Sequence, residues 1–278
     1  MVSYPEGNHF SGGAFIRQVH GNILGLKASE TKALERIYNR RVAPGLLVTP
    51  ELARYMTGLS REIGRQIGVI IDRKGAIVAA IAGDEREIVI PALPDFPLGR
   101  RMLRGVRCVH THLKDEPLTE DDLADLALLR LDMMAAIGVG EDGLPGRIHT
   151  AHLLPYNPEG ETRAVQPAEP FQSFHLDFSS FITSLEDEMG RAVVRDVEDA
   201  RERAILVSVS RVPKAEQEES LEELAELAAT SGVVVLGSIR QRPERLNPKY
   251  LMGSGKIREV VISALDKGAT MLIFDQEL

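Results

Sequence analysis

The sequence predicts an α+β unit followed by an α/β unit, on three observations. Between residues 19 and 154, helical spacing gives way to short β-branched runs bounded by turn residues. From residue 203 onward, strand and helix patterns alternate, which is the pattern of a parallel sheet with crossover helices. Between them, residues 155–170 hold four prolines and several glutamates with few apolar groups, and a boundary falls there. A chain of 278 residues also exceeds the usual size of one domain, roughly 100 to 200 residues.

Residues 1–18 carry Gly, Ser and Pro without periodicity and read as a mobile tail. Helical spacing begins with Ser29 as N-cap and continues through Glu30, Ala33, Leu34 and Ile37. A second helix, opened by Thr49-Pro50, runs to about Arg65. "IGVIIDRKGAIVAAIAG", residues 67–83, reads as a hairpin turning at Arg73-Lys74-Gly75, with "REIVIPAL" as a third strand. "GVRCVHTHL", residues 105–113, is a fourth strand ending on two histidines. Thr119 begins a helix through Leu123, Leu126, Ala127, Leu131 and Met134, with an acid-rich first turn that suits the helix dipole. "GRIHTAHLLP" closes the unit as a strand.

The segment 155–202 is expected to be a linker followed by an amphipathic helix, since Phe178, Phe181, Leu185, Met189 and Val193 recur at helical spacing. The last unit, residues 203–278, reads as strand "AILVSVS", helix "SLEELAELAATSG" stopped by Gly232, strand "VVVLGSIRQ", helix "SGKIREVVISALDKG" stopped by Gly268, and strand "ATMLIFD".

Composition excludes several classes. No apolar stretch approaches the roughly 20 residues of a membrane span, and no basic-then-apolar leader opens the chain. The single cysteine, Cys108, rules out an internal disulfide framework and fits a reducing, cytoplasmic setting. A net charge of −8 argues against indiscriminate coating of nucleic acid.

Two stretches can carry chemistry. Gly253, Ser254, Gly255 and Lys256 open a helix in the manner of a phosphate cradle, but a Walker loop is absent: Ile257 replaces the hydroxyl residue and Lys249 the first glycine. Nucleotide binding by the helix-start amides, a polyanion contact and a plain turn stay open. The polyanion is favoured by charge. Arg240, Arg242, Arg245, Lys249, Lys256 and Arg258 face one acid, Glu244, an excess of five positive charges suited to RNA. Tyr250 among them can stack on a base.

The other stretch is "HTHLKDEPLTEDD", residues 110–122. His110 and His112 alternate onto one face of a strand, and Asp122 or Asp121 can close a zinc site that keeps a position open for water. The alternative is a set of strand-end histidines hydrogen-bonded to the acids. His149 and His152, three apart on a strand, take opposite faces and read as structural.

The first unit resembles the JAMM (Mov34/RadC-like) fold in its His-x-His followed by Thr119 and Asp122, and in the order of its elements. The resemblance implies a zinc-dependent peptidase centre. Leu113 stands where that family has proline, and Thr119 is one residue closer to the histidines than its serine. Gln66 occupies the place of the family's catalytic glutamate, with Glu62 one helical turn earlier as the alternative base.

The stretch 204–278, in particular "NPKYLMGSGK" and "IFDQEL", is similar to the N-terminal domain of HflX-type GTPases. That resemblance implies a GTP-binding, translation-linked protein on the large ribosomal subunit that splits or rescues stalled ribosomes. It also implies that the P-loop, GTP and magnesium belong to a downstream domain. No Gly-x-x-x-x-Gly-Lys-Ser/Thr occurs in the chain, so these 278 residues are expected to be an N-terminal region without GTPase activity of their own.

Overall fold

The computed structural model describes residues 18–97, 102–155, 161–196, 202–243 and 251–276; the expected N-terminal tail lies almost wholly outside them. The first unit comprises β1 (Val19–Gly21), α1 (Ala28–Glu35), α2 (Pro50–Ile63), β2 (Ile67–Asp72), β3 (Ile77–Ala82), β4 (Val106–His112), α3 (Glu120–Leu129), β5 (Met134–Val139), β6 (Pro145–Leu153), β7 (Arg163–Val165), β8 (Glu169–Pro170) and α4 (Phe178–Asp196). Its strands form one mixed sheet in the order β1-β3-β2-β4-β5-β6-β7, with β8 also on β6. β1–β3 and β4–β5 are parallel pairs and the others antiparallel.

Local chemistry sets the ends of these elements. Thr49 caps α2 by accepting the Leu52 N–H at 3.2 Å, Pro50 fills the first turn, and Gly64 stops the helix in the left-handed region. α1 starts one residue before Ser29, with Lys27 as its cap and the Glu30 carboxylate accepting the Lys27 N–H at 2.8 Å. The hairpin turns at Gly75, φ +82°, where an added Cβ would lie 1.6 Å from the Val42 carbonyl oxygen.

Helices cover both faces of the sheet. On one, Leu34, Ile37, Leu52, Met56, Phe178, Ile182 and Leu185 from α1, its following turn, α2 and α4 pack on Val69, Ile71, Val109 and Ile137. On the other, Leu123 and Leu126 of α3 pack on Ile70, Ile81, Cys108, Met134 and Ala136. Arg107, fully buried, donates to the carbonyls of Leu46, Leu47 and Asp72 and stacks on Phe178, which ties strand, loop and α4 together. Burial pushes its pKa down to about 10 against the opposing pull of Asp132 and Asp72.

Three expectations need correction. "REIVIPAL" forms no strand: Asp84 accepts the N–H groups of Arg86 and Glu87 in a turn, and Ile88 buries its side chain over Gly68. The helix from Thr119 stops at Arg130 rather than continuing to Met134, because Arg130 takes a left-handed conformation, φ 51°. Met134 instead opens β5. The stretch 155–170 supplies β7 and β8, which pair with β6, and α4 buries Phe178, Ile182, Leu185 and Met189 in the first core. The described part of the expected linker thus completes the first unit.

The second unit comprises β9 (Arg203–Val209), α5 (Lys214–Thr230), β10 (Val234–Gln241), α6 (Ser254–Asp266) and β11 (Met271–Phe274). Its sheet, β10-β9-β11, is wholly parallel, as the alternating pattern predicts. Gly232 and Gly268, both with positive φ, follow the two helices. Ile205, Val207, Val209, Met252 and Val260 form its core. Among the described residues, no helix is long and apolar enough to cross a membrane.

Candidate metal centre and basic edge

Alternation along β4 sends Arg107, Val109 and Thr111 to the α2 side and Cys108, His110 and His112 to the α3 side. α3 begins directly over the two histidines. Thr119 and Asp122 form a capping box: the Asp122 N–H donates to Thr119 Oγ1 at 3.2 Å, and both N–H and hydroxyl of Thr119 donate to Asp122 Oδ2 at 2.8 Å. The box aims the Asp122 carboxylate at the histidines. Of the two acids considered, the fold selects Asp122; Asp121 points to α6.

His110 Nε2 lies 3.0 Å from His112 Nε2 and 3.2 Å from Asp122 Oδ1, and His112 Nε2 lies 3.4 Å from Asp122 Oδ2. A tetrahedral zinc ion with bonds of about 2.0 to 2.1 Å sets its ligand atoms roughly 3.3 Å apart, so this triangle has the size of one tetrahedral face. All three residues are buried, and they form the one such cluster of three or more potential ligands among the described residues. The Nδ1 of His112 faces the Glu116 carbonyl at 2.9 Å. A carbonyl only accepts, so Nδ1 carries the proton, and Nε2 of the neutral ring presents a lone pair to the cluster.

The electrostatics agree. Burial alone would raise the Asp122 pKa, but His110, His112 and the Thr119 amide hold it well below the usual carboxylate range. Burial lowers the His112 pKa, yet Asp122 and the Glu116 carbonyl outweigh it and raise the pKa above the ordinary value. The site holds an anionic carboxylate that a proton, or a metal ion, balances.

Gln66 directly precedes β2, which pairs antiparallel with β4 and sets Gly68 opposite His110. Gln66 is 2% exposed, and its Oε1 has no hydrogen-bond partner among the described residues. Glu62 is exposed on α2, and no hydrogen bond or ion pair among the described residues joins it to the triad. His149 and His152 take opposite faces. His149 is in register with Ala136, which pairs with His110, and lies 3.5 Å from Asp115; His152 packs edge-on against Phe181 of α4. Sequence reasoning missed Asp115, which has no fixed spacing from the histidines to mark it.

The basic cluster is only partly a surface for anions. Arg240 pairs with Glu218, Lys256 with Glu259 at 2.5 Å, and Arg258 with Asp121 at 2.6 Å. Arg242 is exposed, donates to the Arg211 carbonyl at 3.3 Å, and pairs with no acid among the described residues. Arg211, also exposed, was not singled out in the sequence. Both follow the carboxyl ends of β9 and β10, the edge where open parallel sheets bind ligands. Arg245, Lys249, Glu244 and Tyr250 lie outside the described residues. At the glycine stretch α6 begins at Ser254, with the N–H groups of Lys256 and Ile257 both donating to the Gly253 carbonyl.

Comparison with known proteins places similarity in the second unit. Residues 218–278 match the family model described as "GTP-binding GTPase N-terminal". The chain is 36% identical over 83 residues to the GTPase HflX of Lacrimispora saccharolytica, covering 30% of this chain and 20% of the relative. It is 38% identical over 78 residues to that of Caldanaerobacter subterraneus subsp. tengcongensis, 28% of this chain and 18% of the relative. To that of Flavobacterium psychrophilum it is 37% identical over 79 residues, with shares of 28% and 19%. The matched stretch spans about a fifth of each relative's length. The second unit is thus similar in sequence to a GTPase N-terminal family and to part of HflX proteins, and its parallel α/β fold is compatible with that likeness.

Proposed function

We propose that this chain is the N-terminal region of an HflX-type GTP-binding protein that associates with the large ribosomal subunit and acts in ribosome splitting, rescue or biogenesis. The observation that carries the proposal is the match of residues 218–278 to the GTPase N-terminal family, across α5, β10, α6 and β11. Arg211 and Arg242 at the carboxyl edge of the parallel sheet, with Arg245 and Lys249 next in sequence, supply the charge for ribosomal RNA. Lys256 and Gly253 to Gly255 give a secondary anion contact at the start of α6, with nucleotide as the alternative ligand. GTP and magnesium would need a P-loop, and no Gly-x-x-x-x-Gly-Lys-Ser/Thr occurs in these 278 residues.

The test is sedimentation of the chain with purified large subunits through sucrose at rising salt. Neutralisation of several phosphates predicts a steep loss of binding between about 50 and 200 mM salt. Binding indifferent to salt contradicts an RNA contact by these cations.

A specific observation favours a second role. The triangle of His110, His112 and Asp122 fits zinc, and we assign the first unit as a JAMM-like unit that holds the ion through these three residues. Zinc held there supplies Lewis acidity to a fourth ligand. The chain's own residues argue for holding rather than cleaving. Hydrolysis needs a carboxylate base at the open side, and Gln66, which takes the place of the catalytic glutamate by resemblance, is a buried amide that cannot serve as one. Glu62 remains on the exposed side of α2. Metal analysis of protein purified without chelator or nickel resin is expected to give one zinc per chain, with no peptidase or isopeptidase turnover.

A further inference from the structure

The acids on the first turns of α3 face two ways. Asp122 turns inward to His110 and His112, while Asp121 and Asp125 turn toward α6 of the second unit. There the Arg258 guanidinium reaches both, 2.6 Å to Asp121 and 3.7 Å to Asp125. This contact joins the two units through the helix that supplies the third ligand of the metal centre. Arg163 meets Glu120 on the same turn at 3.5 Å, and Lys256 is paired within α6 to Glu259. Among the described residues, Arg258 is thus the cation that the second unit brings to Asp121 and Asp125.

We infer that docking of α6 onto α3 and loading of the His110, His112 and Asp122 centre are antagonistically linked, the metal weakening the dock and the dock weakening the metal. The inference rests on the metal role proposed above. Charge gives the sign. Of the acids at the start of α3, Asp122 is relieved on the inner side by the histidines, and Asp121 and Asp125 on the outer side by Arg258. A divalent ion held by Asp122 would add positive charge on the same turn of α3 whose other acids, Asp121 and Asp125, hold Arg258, and like charges so placed each weaken the other's hold. Linkage is reciprocal, so whatever the metal does to the dock, the dock does to metal affinity. The capping box makes the coupling local, since Thr119 and Asp122 fix the turn on which Asp121 lies.

The experiment is a zinc titration of the full chain at low salt, comparing the parent with Arg258→Ala and His110→Ala, together with amide exchange of α6 with and without zinc. The linkage predicts that Arg258→Ala binds zinc about fivefold more tightly than the parent. It also predicts that the gain fades at ~0.5 M salt as the exposed guanidinium is screened, and that zinc speeds exchange at the α6 face of the parent. Unchanged or weaker zinc binding by Arg258→Ala, or exchange in α6 that zinc leaves alone or slows, overturns the linkage while the metal centre stands. Equal zinc binding by the parent and His110→Ala overturns the centre and the linkage with it.

Discussion

His110 and His112 bring their Nε2 atoms to 3.0 Å from each other while both face the Asp122 carboxylate. In the metal role proposed above, the ion would compete with the proton that Asp122 and the Glu116 carbonyl favour on His112. Zinc binding therefore competes with protons. Affinity is expected to fall as pH drops through the histidine range. His110→Ala or Asp122→Asn should each weaken zinc by more than about 100-fold, measured by competition with a chromophoric chelator. Variants within threefold of the parent would remove the centre.

Thr119 orients Asp122 and also caps α3. Thr119→Ala is expected to cost about 1 kcal/mol of stability in urea, and roughly tenfold in zinc affinity. Thr119→Ser, which keeps the hydroxyl, should restore both. A loss of stability with unaltered zinc affinity would show that the hydroxyl serves the helix alone.

Arg73 bridges the sheet and α4, meeting the fully buried Asp132 at 2.6 Å and Glu186 at 2.8 Å. Burial raises the Asp132 pKa, and the Arg73 guanidinium pulls it back. Arg73→Met leaves Asp132 buried with, among the described residues, the Gly105 N–H as its remaining hydrogen-bond donor, and should cost on the order of 3 kcal/mol in urea unfolding. Adding Asp132→Asn should recover part of that loss. Equal stability of Arg73→Met and the parent would contradict the role of this bridge.

His152 is buried against Phe181, its Nδ1 has no partner among the described residues, and burial lowers its pKa. The unfolded chain protonates such a side chain near pH 6.5 while the folded chain resists. Stability should therefore decline as pH falls below about 6.5, because the unfolded state takes up more protons. His149, also lowered chiefly by burial, adds to the same slope. His152→Gln should flatten the decline between pH 7.5 and 5.5; an identical slope would assign the effect elsewhere.

Much of this was legible in sequence because it is written in local chemistry. Thr49-Pro50 marked the start of α2, the βαβαβ alternation marked the parallel sheet, and the alternation of His110 with His112 marked a shared face. β5 was hidden because Leu131 and Met134 continue the helical spacing of α3, and the stop is a left-handed arginine rather than a glycine. Ile88 and Ile90 carry strand composition, but Ile88 is used as a lid over Gly68. The pairing of Arg240 and Arg258 was invisible for a different reason. Glu218 and Asp121 are 22 and 137 residues from their partners in sequence, and only the fold brings them together.

The measurement that tests the proposed role in translation most directly is co-sedimentation of the chain with large ribosomal subunits, comparing the parent with Arg242→Glu combined with Arg245→Glu. An RNA contact at the carboxyl edge of the parallel sheet predicts that the parent pellets at low salt and that the double charge reversal abolishes pelleting without altering thermal unfolding. Pelleting of the doubly reversed chain at the parent's level would contradict that contact.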